Sequence, residues 1–186
     1  MVAPSGIQLD LFNQVVCNAL ELSETITKRA THHTDMGKLH IHLISMEDIV
    51  LFKSITEREA DLDDIRTLAE VGLDWNIVEE ECLNQKNSGL WADLVLVKMA
   101  NLKEKHGIDI RLTKIKEHAD SYVLKKTFKM IMKRDEIKFK DLHKIINNKT
   151  GYSESWTRKS LKNLEKEGFI ESRKSGRNRL YRLKKN

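Results

Sequence analysis

The most restrictive pattern in the chain lies in its last third, from Asp141 to Lys185. Leu142, Ile145 and Ile146 recur at helical spacing, and Thr150-Gly151-Tyr152-Ser153 then turns the chain. Ser153 can cap a second helix, in which Thr157, Leu161 and Leu164 repeat at intervals of four and three as the buried stripe. Gly168 ends that helix. Phe169-Ile170 begins a strand, and Leu180 to Leu183 returns with apolar residues in alternation, on the far side of the loop Ser175-Gly176-Arg177-Asn178. This order predicts two short helices followed by a hairpin, with the second helix open to solvent on one side. That side carries Ser155, Trp156, Arg158, Lys159 and Lys162, and the hairpin adds Arg173, Lys174, Arg177 and Arg179. Lys and Arg neutralise phosphates, and Arg also bonds bidentately to guanine in the major groove. Four cations crowded on one hairpin repel each other unless phosphate is near.

The charge of the whole chain divides at the same end. From Tyr122 to Asn186 there are 20 Lys/Arg against 7 Asp/Glu, a net of +13. From Met1 to Ser121 there are 13 against 21, a net of −8, so the overall +5 conceals an acidic half and a basic one. We therefore expect two domains, residues 1–121 and 122–186, the second meeting a polyanion. A single Pro and eight Gly in 186 residues favour long helices, and the expected fold is α+β and predominantly helical. Cys17 and Cys82 lie far apart and match no metal spacing, which suits a reducing cytoplasm. No apolar run approaches the roughly 18 residues of a membrane span. The start, MVAPSGIQLDLF, lacks the basic and apolar segments of a signal peptide.

In the acidic half, Ile7 to Phe12 alternates as a strand with Asp10 on its second face, and residues 13–29 read as helical, broken near Leu22-Ser23. His32 to Gly37 reads as a polar loop. Lys38 to Ile44 reads as a half-buried strand, with Leu39, Ile41 and Leu43 inward and His40 and His42 outward. With His32, His33 and Asp35 nearby, these histidines have ligand chemistry for Zn²⁺ or Ni²⁺. Solvated strand residues explain them as well, and no metal site is assigned. Ser45 caps a helix with acids in its first turn and Ile49, Phe52 and Ile55 on its inner face. Further helices are expected over residues 57–70, after Asp74, from Ser88 or Gly89 to Gly107, and over 113–119 and 122–133. On the fourth of these, Leu90, Leu94, Val97 and Leu102 are the expected apolar face, and on the last, Val123, Thr127, Met130 and Ile131.

The pattern Ser155-x-Thr157-x-x-x-Leu161-x-x-Leu164-x-x-x-Gly168-Phe169-Ile170 resembles the winged helix-turn-helix domains of bacterial and archaeal transcription regulators. The resemblance covers residues 122–186 and implies a helix in the major groove of double-stranded DNA with a wing at the backbone. A second resemblance covers roughly Ile7 to Glu81. Ser45-Met46-Glu47-Asp48-Ile49-x-x-Phe52-Lys53-x-x-x-x-Arg58-x-x-Asp61-x-x-Asp64-Ile65 is similar to the C-terminal half of nucleotidyltransferase-fold domains of the minimal and toxin-like groups. Those families imply Mg²⁺ held by carboxylates and a cation for the triphosphate, and Asp10 stands where they have a third metal-binding carboxylate. Their Gly-Ser turn followed by an Asp-x-Asp strand does not occur here, so Asp10, Lys53, Arg58, Asp61 and Asp64 read as a motif remnant, and the last four equally as helix-surface ion pairs. The expectation is a cytoplasmic DNA-binding regulator, a possible homodimer, with an inactive or incomplete nucleotidyltransferase-like domain and no cofactor. The alternative is part of a Mg²⁺-dependent nucleotidyltransferase whose winged helix presents a nucleic-acid or protein substrate.

Overall fold

The computed structural model describes residues 13–16, 19–56, 58–131 and 136–184. The expected strand Ile7–Phe12, with Asp10, lies outside these residues, as does Cys17. The chain forms two compact units, Met1–His118 and Ala119–Asn186. The fold is α+β and mostly helical, with three small antiparallel sheets among the described residues.

The first unit begins with β1 (Val15–Val16) and β2 (Leu20–Glu21), paired antiparallel, where a helix was expected from residue 13. Two consecutive β-branched residues favour the extended form. The decisive partner is distant in sequence. The Glu21 backbone N–H donates to Gln85 Oε1 at 2.7 Å, and Gln85 Nε2 donates to the Glu21 carbonyl at 3.1 Å. The buried amide side chain thus acts as a short length of neighbouring strand. Helix α1 (Glu24–Arg29) follows, with Ser23 as its cap, accepting from the Ile26 N–H.

Strands β3 (Thr31–Met36) and β4 (Leu39–Leu43) form a hairpin across Gly37, which has φ 65°. The expected loop at His32–Gly37 is therefore mostly strand. Its polar residues find cross-strand partners, His32 opposite His42 and Asp35 opposite His40. The expected burial of β4 is also overturned. Leu39 and Leu43 are 59% and 51% exposed, since no further element among those described covers this face.

Helices α2 (Met46–Ser54), α3 (Ala60–Val71), α4 (Trp75–Asn84) and α5 (Ser88–His106) pack around Val50, Leu51, Leu62, Ile65, Val78, Cys82, Val95 and Leu102. Ser45 caps α2 by accepting from the Asp48 N–H, and Asp74 caps α4 through the Asn76 N–H. The buried stripe of α5 is Ala92, Val95, Met99 and Leu102, whereas the expected Leu90 and Val97 are exposed. Helix α6 (Thr113–Ile131) is continuous where two helices were expected. Its start is capped by the buried carboxylate of Glu79, which accepts from the N–H groups of Lys114 (2.7 Å) and Ile115 (3.3 Å).

The second unit takes Leu124 and Phe128 from α6 into its core, in place of the expected Met130, which is exposed. Strand β5 (Ile137–Lys138) leads into α7 (Phe139–Thr150), the turn Gly151–Ser153, α8 (Glu154–Lys166), and the hairpin β6 (Ile170–Ser175) with β7 (Asn178–Leu183). β7 lies between β5 and β6, giving the sheet order β5-β7-β6. Leu142, Ile146, Leu161, Leu164, Ile170 and Tyr181 close the core. Gly151 ends α7 at φ 71°, with its N–H donating to the Asn147 carbonyl at 2.7 Å. An L-side chain there is strained by about 1–2 kcal/mol, so Gly151→Ala lowers stability by that amount in urea unfolding.

Candidate functional site

The sequence motif of α8 maps onto two opposite faces. Thr157, Leu161 and Leu164 are buried, and Ser155, Arg158, Lys159, Lys162, Asn163 and Lys166 form one exposed stripe. Ser153 holds the helix start by accepting from the Trp156 N–H. The buried Thr157 hydroxyl lies 3.0 Å from His143 Nδ1 and fixes α8 against α7. The β6–β7 hairpin turns at Gly176, φ 58°, which places glycine at the first central position of a two-residue turn between Ser175 and Asn178.

The expected contact residues are not equivalent. Lys159 and Lys162 are exposed, with no ion-pair or hydrogen-bond partner among the described residues, and so are Lys166, Lys174 and Arg177. Arg158 is exposed but engaged. It donates to Glu154 Oε1 from Nε (3.0 Å) and Nη2 (2.6 Å), and its guanidinium sits 3.9 Å over the Phe139 ring. Trp156 is partly buried, stacks on Tyr152 at 3.8 Å and packs against the core, so it supports α8 from behind. Arg173 makes a two-bond pair with Glu136, both at 2.7 Å, and holds the Glu136 carboxyl below its ordinary range. This relieves part of the crowding expected on the hairpin. Arg179 is exposed next to the Tyr181 hydroxyl. Lys166 completes the exposed stripe of α8; its spacing of four from Lys162 was the available signal.

In the first unit the structure brings Lys53, Arg58, Asp61 and Asp64 together. Lys53 Nζ donates to Asp61 Oδ1 (2.9 Å) and Asp64 Oδ2 (2.7 Å), Arg58 Nε donates to Asp61 Oδ2 (3.0 Å), and the Thr56 hydroxyl donates to Asp61 as well. Asp61 is buried, which opposes its ionisation, but the bonds from Thr56, Lys53 and Arg58 outweigh this and hold its carboxyl below the ordinary 3.8. Both carboxylates are thus committed to cations of this chain and do not by themselves fit a Mg²⁺ site, which needs oxygens free to face the ion. Asp10 lies outside the described residues. His32 and His40 share Asp35 Oδ1 at 2.9 and 2.6 Å, and no group of three or more His, Cys, Asp or Glu among the described residues is arranged to hold a metal.

A second polar cluster had no signature in the sequence. Arg29 Nη2 donates to Asp48 Oδ1 (2.6 Å) and Glu81 Oε2 (2.8 Å), joining α1, α2 and α4. Ser23, Thr25 and Gln85 also donate to Glu81. Burial raises the Glu81 pKa, yet the bonds from Thr25, Ser23 and Arg29 outweigh it, and it lies below the ordinary 4.5. Depressed carboxylates stabilise the fold above their unfolded pKa, and that contribution is lost as pH falls through the folded value. For Glu81 and Asp61, urea unfolding should show stability falling as pH drops below about 4.5. A flat profile below that pH contradicts the assignment.

Fold and clusters together define an α+β protein whose first unit holds a Lys-Arg-Asp-Asp helix motif and whose second is a small basic helix–hairpin unit. Residues 5–92 match the family described as nucleotidyltransferase of unknown function (DUF6036), so this part of the chain is nucleotidyltransferase-like. No curated protein and no solved structure matches the chain significantly. No helix among the described residues is long and apolar enough to cross a membrane.

Proposed function

We propose that this chain is a double-stranded DNA-binding protein, a transcriptional regulator, in which residues 122–186 form a winged helix-turn-helix and residues 1–121 an inactive or incomplete nucleotidyltransferase-like domain. The observation that carries the reading is the set of unpartnered cations on α8 and the wing: Lys159, Lys162, Lys166, Lys174 and Arg177. Uncompensated cations in one small unit are tolerated in water and strongly favoured beside phosphates, where they release counterions. The sheet order β5-β7-β6 after two short helices supports a wing beside a reading helix. Two-fold pairing of such heads would use helices away from α8. Leu90 and Val97, exposed and seven residues apart on α5, are the candidates for a homodimer. The test is a gel shift of random genomic duplexes by the full chain at low salt: retardation supports the reading, and its absence at micromolar protein removes it.

A second reading is favoured by the family match at residues 5–92. In it, the chain is part of a Mg²⁺-dependent nucleotidyltransferase whose winged helix presents a nucleic-acid or protein substrate. Labelled nucleotide incorporation that disappears in Asp10→Asn would establish it; no transfer, with Mg²⁺ present, would remove it.

A further inference from the structure

Helix α5 carries two stripes at helical spacing, and the core of the first unit covers one of them. Ala92, Val95, Met99 and Leu102 are buried. Away from these run Leu90, Leu94, Val97, Asn101 and Glu104, at intervals of four, three, four and three. Leu90 is 45% exposed and Val97 53%, Leu94 is half-buried, and Asn101 and Glu104 are exposed. Alternating steps of four and three make the seam of a two-helix coiled coil, whose knobs need a second helix to receive them. In heptad terms Leu94 and Asn101 stand at a, and Leu90, Val97 and Glu104 at d. A single Asn at a lowers stability but sets register and the number of strands.

The charges beside the seam point to the occupant. Asp93 lies at g, and Trp91, Lys98 and Lys105 lie at e. Asp93 is exposed, with no ion-pair partner among the described residues. The Lys98 stem is buried, but no buried side-chain nitrogen among the described residues lacks a hydrogen-bond partner, so its unpaired ammonium reaches solvent. Two parallel copies set g of one against e of the other five residues on, which joins Asp93 to Lys98 twice about a two-fold axis. Antiparallel copies would set e against e, leaving Lys98 and Lys105 to face the same lysines. We propose that α5 pairs with α5 of a second copy as a parallel coiled coil, with Leu90, Leu94, Val97 and Asn101 at the seam and Asp93 of each copy bonded to Lys98 of the other. The proposal rests on the DNA-binding reading only for its use, two basic units on one two-fold site, and gives the homodimer of that reading an orientation and a register. At ~1.5 Å per residue the seam is only about 22 Å long, so the pairing is weak and depends on concentration.

The test is sedimentation velocity of the full chain without DNA. Wild-type protein should pass from monomer to dimer with concentration, half-associated on the order of 10 μM. Val97→Glu and Asp93→Lys should each raise that midpoint about tenfold. Both residues are exposed, so melting temperatures should match the wild type at concentrations where all three chains are monomers. Asn101→Cys should form a disulfide-linked dimer in air severalfold faster than the wild-type chain, whose own thiols are Cys17 and Cys82, because only a parallel, in-register seam brings residue 101 to its equivalent. Lys159→Ala with Lys162→Ala should dimerise as the wild type does, so a failure of pairing and a failure of DNA binding are told apart. A wild-type chain that stays monomeric at about 100 μM, a dimer indifferent to either Val97→Glu or Asp93→Lys, or an Asn101→Cys chain that links no faster than wild type overturns the proposal.

Discussion

Arg29→Met should lower the unfolding free energy of the N-terminal unit by about 3–5 kcal/mol, the usual cost of stripping one partner from a buried ion pair. Among the described residues, Arg29 is the only cation bonded to two carboxylates that are themselves buried, Asp48 and Glu81. Without it, Asp48 keeps the Ser45 hydroxyl and Glu81 keeps Ser23, Thr25 and Gln85, but neither keeps a counter-charge. Since small domains are stable by only about 5–15 kcal/mol, such a loss takes a large share of the total. Replacing Arg29, Asp48 and Glu81 together by apolar residues of similar volume should recover most of it, because the desolvation cost goes with the charges. Urea unfolding followed by tryptophan fluorescence measures both. A loss below about 1 kcal/mol in Arg29→Met would mean that the cluster is effectively solvated, as surface pairs are.

The second large effect belongs to α8. Lys159→Ala with Lys162→Ala should weaken duplex binding about a hundredfold, roughly tenfold or 1.4 kcal/mol per lost phosphate contact. The slope of log K against log salt should become less steep by about 2. Both lysines are exposed and unpartnered among the described residues, so the fold should be untouched and the melting temperature unchanged. Arg158→Ala is a poorer probe, because it also removes the bonds to Glu154 and the stack on Phe139. Affinity and slope both unchanged in the double lysine variant would place any DNA contact elsewhere.

Local physics made part of this legible from residues alone. Ser45, Asp74 and Ser153 cap the helices expected of them, because a cap is decided within three residues. The Thr157-Leu161-Leu164 stripe is buried for the same reason: helical spacing fixes which side a residue takes. What failed depended on distant partners. β1–β2 exists partly because Gln85 clamps the Glu21 backbone, and no window around residue 21 contains residue 85. The polar run Thr31–Met36 is a strand because β4 supplies its partners. Leu90 and Val97 fit a helical face, but α5 uses a neighbouring one. The motif residues Lys53, Arg58, Asp61 and Asp64 do meet, yet the Arg29 cluster was invisible because it is assembled across helices.

The central claim, that the basic unit meets duplex DNA, is tested most directly by the salt dependence of wild-type binding to a random-sequence duplex, followed by fluorescence anisotropy. With Lys159, Lys162, Lys166, Lys174 and Arg177 all at phosphates, log K should fall linearly with log salt at a slope of about −4 to −5. A slope near zero, or no binding at low salt, would contradict it.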